Sequence, residues 1–388
     1  CIDRVDEGLE AGLNPGEDPL ATPACASSCI SQAIKFGDFN DPASHVSELV
    51  ATRDYFQMHE ELGNDPQIKY LIETPAVPAR NSDPMDLSEE TLLDTEHALV
   101  GKRQTFWDMR AAMNFIMGGI GSGSAVVAYL LWISGNVNSQ FLVAVNIVSS
   151  IILAIGLFCV WLKIGRKLRA PLAILRPQTS WMSREIYVAG IFFGSVALYF
   201  FEPNSLFLTS AAIGAGLFLY CQGRILHSGK GIPTWRVSQM PLMLVATGLL
   251  EGICLSAVLH FGWDSEISVT SILPPAAIIL ILFNSFLWRR YARNAKVWGI
   301  SPIDRNIIGS LSPKLYIFGH CIPLILFGIA FFVPNTESSI VCIASLLALI
   351  GSILWKATII TRACHMQNFA LGKMPHRGSG KFAAPVIN

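Results

Sequence analysis

Between residues 101 and 388, Lys and Arg collect in every second connection between apolar runs, and the connections between them receive none. Of the 23 cations in this stretch, three precede the first run (Lys102, Arg103, Arg110) and six lie from Lys163 to Arg184. Three more lie from Arg224 to Arg236, six from Arg289 to Lys314, and five from Lys356 onward. The connections near Ser134–Gln140, Glu202–Ser205, Gly262–Ser268 and Pro334–Ser339 hold no Lys or Arg. Such alternation is what the positive-inside rule produces in a chain that crosses a membrane repeatedly. It predicts how many crossings there are, their direction, and the side on which each polar group lies.

Eight apolar runs carry the pattern: Ala111–Ile133, Phe141–Leu162, Ser183–Phe201, Leu206–Gln222, Met240–Phe261, Ser271–Trp288, Leu315–Val333 and Ile340–Ile360. A helix rises ~1.5 Å per residue, so ~20 residues cross the ~30 Å hydrocarbon layer. The third, fourth and sixth runs are near ~17 residues, short for that span. Helix is the form expected, because lipid leaves open backbone unsatisfied. An even count places both termini on one side, and the basic connections make that side the cytoplasm. Trp107, Trp132, Trp161, Tyr220, Trp263, Trp288 and Tyr316 stand near run ends, as interface anchors do.

The formal charge of zero conceals two unlike segments. Residues 1–100 hold 20 acidic and 5 basic side chains, a net −15; residues 101–388 hold 8 acidic and 23 basic, a net +15. A boundary near residue 100 follows, with the acidic segment expected on the basic face of the membrane part. The domains expected are 1–72, a soluble segment; 73–106, a linker and acidic helix; 107–362, the membrane bundle; and 363–388, a cytoplasmic tail. A chain that begins at Cys1 reads as a fragment. No nucleic-acid partner is expected.

Within the runs, Gly118, Gly119, Gly121 and Gly123 predict close helix packing, since a phosphate loop would need a preceding strand. Glu251 sits in the middle of the fifth run, where a carboxylate costs ~3 kcal/mol on insertion scales. Two readings stay open: a neutral carboxylic acid bonded to a backbone carbonyl, or a station on a proton path. His260 and His320 fall at opposite depths, which disfavours a bis-histidine haem. Asn114, Asn146 and Asn284 are expected to bond between helices. Cys159, Cys221, Cys254, Cys321 and Cys342 read as small buried hydrophobes.

In the acidic segment, Ser44–Leu62 reads as an amphipathic helix, Gln67–Ile72 as a short strand, Thr74–Met85 as a proline-rich linker, and Ser88–Ala98 as a helix. The stretch between Cys1 and Cys25 reads as a loop. Cys25-Ala26-Ser27-Ser28-Cys29 is a C-x3-C step, which alone fits free thiols equally well.

The surrounding text is more specific. Cys1-Ile2-Asp3-Arg4-Val5-Asp6-Glu7-Gly8, Pro23-Ala24-Cys25-Ala26-Ser27-Ser28-Cys29, Ala33-Ile34-Lys35-Phe36-Gly37-Asp38 and Asp41-Pro42 resemble the third cysteine motif of the four-cluster iron–sulfur subunits of molybdopterin oxidoreductases. The resemblance implies the end of a ferredoxin-like domain, with Cys1 and Cys25 serving one [4Fe–4S] cluster and Cys29 its neighbour. Where that family places Pro after the last Cys, this chain has Ile30.

The membrane half is similar, in patches over residues 107–360, to the membrane-anchor subunit of dimethyl sulfoxide reductase. Leu162-Lys163-Ile164-Gly165-Arg166-Lys167-Leu168-Arg169-Ala170, Ser183-Arg184-Glu185-Ile186 and Pro233-Thr234-Trp235 carry the likeness. It implies a mainly α fold, an eight-helix transmembrane bundle joined to a truncated ferredoxin-like iron–sulfur segment. The partners implied are a molybdopterin-containing catalytic subunit, a quinone and the lipid membrane, with the chain passing electrons between [4Fe–4S] clusters and the quinone pool of an inner membrane. The family's quinone-site glutamate falls on Glu185, and its histidine falls on Lys163. A lysine can donate to a quinone carbonyl but is a poor proton acceptor. With Arg184, Arg224 and Trp235, these residues map to the membrane edge that the charge pattern makes cytoplasmic. Phe56-Gln57-Met58-His59-Glu60-Glu61-Leu62-Gly63 with Asp65-Pro66 looks like the phenylacetyl-CoA:acceptor oxidoreductase branch. The rival readings are a secondary transporter with Glu251 as its ion site, and a purely structural anchor.

Overall fold

The computed structural model describes residues 2–29, 33–58, 66–71, 93–95, 100–164, 167–261, 272–333 and 338–366. The chain forms two compact units, one within residues 1–86 and one within 87–372.

The first unit is small. Helix α1 (Ile2–Glu10) packs on a 3-10 turn at Pro19–Ala21, where a Cβ on Gly8 would meet the Ala21 backbone at 2.8 Å. Gly16 has φ +91° and lies against the Phe36 carbonyl, with no room for a side chain. The expected loop between Cys1 and Cys25 is therefore largely helical and turned. Its run Ile2-Asp3-Arg4-Val5 to Leu9 has helical spacing, which the nearby Gly and Pro residues mask. One-turn helix α2 (Ala24–Ser27) and α3 (His45–Thr52) follow.

The helix expected over Ser44–Leu62 stops at Thr52. Strand β1 (Tyr55–Phe56) then pairs antiparallel with β2 (Tyr70–Leu71), with Phe56 and Tyr70 stacked at 5.0 Å. Aromatic cross-strand pairing has overridden helix periodicity there. The strand expected at Gln67–Ile72 is present as β2. The Thr74–Met85 linker and all of Ser88–Ala98 but residues 93–95 lie outside the described residues.

The second unit is a helical bundle: α4 (Met109–Ile133), α5 (Ser139–Lys163), α6 (Trp181–Phe201), α7 (Ser205–His227), α8 (Met240–Phe261), α9 (Leu273–Arg293), α10 (Pro302–Lys314), α11 (Ile322–Phe332) and α12 (Ser338–Thr361). Polar residues start five of them. Asp108, Asn138, Ser180, Asn204 and Ser301 each accept a backbone N–H at the first turn of α4, α5, α6, α7 and α10. These caps satisfy donors that lipid would leave bare. The runs thought short form longer helices: α6 has 21 residues, α7 has 23 and α9 has 21, the last two extended at their C-terminal ends.

Seven helices among the described residues are long and apolar enough to cross a membrane. The sixth expected crossing, α9, forms and packs on α8 and α11, but its two prolines, Asn284 and closing arginines keep it outside that set. The seventh crossing runs unbroken from Pro302 to Phe332 through a π segment at Leu315–Cys321. Pro323 has no N–H to offer the Gly319 carbonyl, and a widened turn just before it accommodates the mismatch. Large apolar side chains face outward along the bundle, Phe201 at 87% and Phe332 at 77% exposure among them. Only a lipid solvent makes that arrangement favourable.

Helix α4 is the hub, in contact with α5, α7, α8 and α12. Its glycines make this possible, as expected. A Cβ on Gly123 would lie 1.8 Å from the Gly248 carbonyl oxygen, and one on Gly252 would lie 2.3 Å from the Gly123 backbone. At one end of the bundle the chain ties itself together. Gln104 N donates to Cys364 O, Met366 N donates to Lys102 O, and His365 Nδ1 lies 2.7 Å from Asp304 Oδ1.

Candidate functional site

Three of the expected site residues meet where the first turns of α6 pack on the last turns of α7. Trp181 lies one turn before Glu185, on the same face of α6. The Arg184 guanidinium stacks on the Trp181 ring at 4.1 Å, and Arg224 of α7 approaches the same ring at 4.9 Å. Tyr220, one turn before Arg224, meets Trp181 edge-on at 5.8 Å. Arg184 is held in place because Nε donates to Pro177 O at 2.7 Å and an Nη to Gln178 O at 2.8 Å. Arg224 Nε is buried and has no hydrogen-bond partner among the described residues.

Glu185 points inward, 4% exposed. Asn114 Nδ2 of α4 donates to its Oε1 at 3.3 Å, and Gln222 of α7 is a second side-chain partner. Gln222 Nε2 in turn donates to the Asn114 backbone carbonyl at 2.8 Å. Gly118 makes room for it, since a Cβ there would lie 2.1 Å from Gln222 Nε2. Asn114 thus bonds between helices as expected, as does Asn284, whose Nδ2 donates to Ala246 O of α8 at 3.2 Å. Asn114 and Gln222 were not singled out for the site in the sequence. A polar residue one turn from a glycine in an apolar run was the only available signal.

Lys163 and Trp235 stand apart from this group at the same end of the bundle. Lys163 closes α5, its Nζ 3.9 Å from Asp108 Oδ1 and 4.7 Å from the Phe106 ring centre. That Nζ is buried without a hydrogen-bond partner among the described residues. Asp108 caps α4 and bonds Arg110; this bond and the nearby Lys163 charge hold its carboxyl below the usual carboxylate range. Trp235 is 3% exposed, donates Nε1 to Ile359 O of α12 at 2.8 Å, and packs on Trp107 at 5.0 Å. Its polar atom is already occupied in joining two parts of the bundle.

For Glu251 the structure supplies a partner that neither reading from the sequence named. Its partner is neither a backbone carbonyl nor solvent but Lys356 of α12, with Nζ to Oε2 at 2.7 Å and both side chains 0% exposed. Lys356 Nζ also donates to Phe115 O of α4 at 3.1 Å. Lys356, counted with the basic residues of the last connection, is thus inside the bundle instead. Its place five residues before the end of α12 allowed either position in the sequence. Gly119 opens the space, since a Cβ there would lie 2.2 Å from Lys356 Nζ and 2.6 Å from Glu251 Oε2.

In the first unit, Cys25 is exposed in the first turn of α2, and Cys29 is half-buried just past its end. Cys29 lines a cavity of about 610 Å³ together with Lys35, Asp38 and His45. Cys1 and residues 59–65, which carry most of the phenylacetyl-CoA likeness, lie outside the described residues. Among the described residues, no three His, Cys, Asp or Glu side chains gather closely enough to hold a metal. A [4Fe–4S] cluster takes four thiolates, so the described residues do not complete a cluster site by themselves.

No curated protein matches the chain. The profile of one family, the DMSO reductase anchor subunit (DmsC), matches residues 105–354, the span that contains the Glu185 group, Lys163, Trp235 and Glu251. The chain belongs to that family and is a multi-pass membrane-anchor subunit of a dimethyl sulfoxide reductase-type complex.

Proposed function

We propose that this anchor exchanges electrons and protons with a membrane quinone at the α6–α7 corner, around Glu185. The observation that carries the reading is a buried carboxyl held by two amide side chains, at the corner where half-buried Arg224 stacks on Trp181 and keeps a buried Nε–H without a partner among the described residues. Reducing a quinone adds two electrons and two protons, and oxidising a quinol removes them. Negative charge gathers on the carbonyl oxygens as electrons arrive, and preformed cationic donors stabilise it there. Arg224 supplies such a donor, and Arg184, fixed by two backbone carbonyls, supplies charge without moving. Glu185 gives its proton to a quinone oxygen, or takes one from the quinol. Asn114 and Gln222 hold the carboxyl in place. Lys163, at the same end of the bundle, offers a further donor.

The same proposal takes a molybdopterin-containing subunit as the catalytic partner and the cytoplasmic face of an inner membrane as the end bearing these cations. The positive-inside pattern supports that orientation. Cys1, Cys25 and Cys29 as [4Fe–4S] ligands form a separable part of the proposal. Iron and acid-labile sulfide analysis of the whole complex tests it, because Cys25→Ser with Cys29→Ser should lower both. Against the transporter reading, Lys356 Nζ already stands where a coupling cation would bind Glu251.

Glu185→Gln is the direct test. It keeps the shape and the amide contacts but removes the exchangeable proton. Turnover of a short-chain naphthoquinol in native membranes should fall roughly 100-fold, the usual worth of a general acid–base. Assembly of the complex should not change. Unaltered turnover would remove the quinone from this corner.

A further inference from the structure

We propose that the Glu251–Lys356 pair is a proton relay serving the Glu185 site, reached through the turn of α4 from Asn114 to Gly119. The inference rests on the quinone reading and extends it deeper into the bundle.

Four observations converge. Glu251 and Lys356 are fully buried and bonded at 2.7 Å. The Lys356 ammonium also bonds Phe115 O, while Gln222, the partner of Glu185, bonds the carbonyl of the adjacent residue, Asn114. The glycines repeat this arrangement one turn later. Gly118 faces Gln222, and Gly119 faces Lys356 and Glu251. Successive residues of a helix point about 100° apart, so two polar groups approach α4 from neighbouring faces at one level. Lastly, Asn114 Oδ1, Gln222 Oε1 and Glu251 Oε1 are all buried and have no hydrogen-bond partner among the described residues. Buried acceptors need donors, and water is the donor small enough to reach all three.

A structural role alone explains this poorly. A buried ion pair adds little stability over apolar side chains of similar volume, and charged residues inside a membrane mark conduction paths more often than scaffolding. No other charged side chain acts on Glu251 among the described residues. α4 offers the Phe115 carbonyl and Gly119, and the thiol of Cys254 on its own helix is bonded to Ser345 of α12.

The step is a proton transfer only. As Glu185 hands its proton to a quinone oxygen, the resulting carboxylate takes a proton along water from the Lys356 ammonium, which is left a neutral amine bonded to Glu251 and regains a proton from bulk water before the next turnover. Quinol oxidation breaks and makes the same bonds in reverse. No electron passes through the pair.

The test uses the full chain with its catalytic partner in native membranes and a short-chain naphthoquinol as probe. The double variant Glu251→Gln with Lys356→Met removes both charges, leaving none stranded. Assembly and naphthoquinone binding should stay within twofold of the parent, while turnover falls at least tenfold and its solvent deuterium isotope effect rises. Parent-like turnover would overturn the relay. Lys356→Arg decides the matter if the double variant fails to assemble. It keeps the charge and the ion pair, but a guanidinium does not release its proton. The relay predicts at least a tenfold loss there as well, whereas a purely structural pair predicts none. Failure of the quinone reading itself would show separately, as normal turnover in Glu185→Gln.

Discussion

Glu185 and Glu251 are both buried carboxyls beside α4, yet their surroundings are opposites. Glu185 is met by the amides of Asn114 and Gln222, at the corner where Arg184 of α6 and Arg224 of α7 stack on Trp181. Glu251 is met by a lysine that is itself sealed from solvent. The first arrangement leaves a cationic donor over for a ligand. The second uses its cation entirely inside the protein. A carboxyl near the end of a bundle can be served by side chains reaching in from the interface. One at mid-membrane has to carry its counter-charge with it, because stranding either charge there is too costly.

The largest expected effect would break this contrast outright. Lys356→Met alone strands Glu251 and should cost about 3–5 kcal/mol, read as loss of folded protein in detergent unfolding. Glu185→Gln replaces one hydrogen-bonding group by another and should cost less than about 1 kcal/mol. If the two variants unfold alike, the environments do not differ as described.

The neighbouring glycines sharpen it. Gly119→Ala pushes on both charged tips and Gly118→Ala on the flexible end of Gln222 and the Phe218 ring. Overpacking should cost about 1–3 kcal/mol, with Gly119→Ala at the upper end. Its loss should disappear in the Glu251→Gln, Lys356→Met background if crowding of the pair is its cause.

A smaller effect than those of Lys356 and Gly119 lies at the surface. Asp108→Ala removes the cap of α4 and should cost about 1 kcal/mol. Because the Asp108 carboxyl is held below its ordinary value, this contribution is present above about pH 4. It is lost as the pH falls through the lowered folded-state value. The parent and Asp108→Ala should therefore converge in stability only in stronger acid, which pH-dependent thermal unfolding would show.

Much of the bundle was legible beforehand. The fifth run, Met240–Phe261, coincides with α8 residue for residue. The others gained a turn or less at most ends, where Asp108, Asn138, Ser180 and Asn204 act as caps. The fourth and sixth gained five residues each at their C-terminal ends, and the seventh continues back to Pro302 because Pro313 and Pro323 are carried inside a helix widened by its π segment. In the first unit periodicity misled in both directions, missing α1 behind its glycines and extending α3 through an aromatic strand. Short elements with small cores are decided by a few contacts, and composition averages over those.

For the site, Glu185, Arg184 and Arg224 were found from the sequence and fall at one α6–α7 corner, the arginines on the Trp181 ring and Glu185 turned inward to Asn114. Trp235 and Lys163 share their end of the bundle but serve other neighbours. What the sequence determined by itself was the repeated crossing, the end of the bundle at which cations gather, and the presence of a costly carboxylate at position 251. These follow from the transfer energies of side chains between water and lipid, which are additive and local. Only the tertiary structure decided which residue neutralises that carboxylate and which amides hold Glu185. Both depend on how closely α4 lets its neighbours approach, and that distance is set by packing among helices more than a hundred residues apart in the chain.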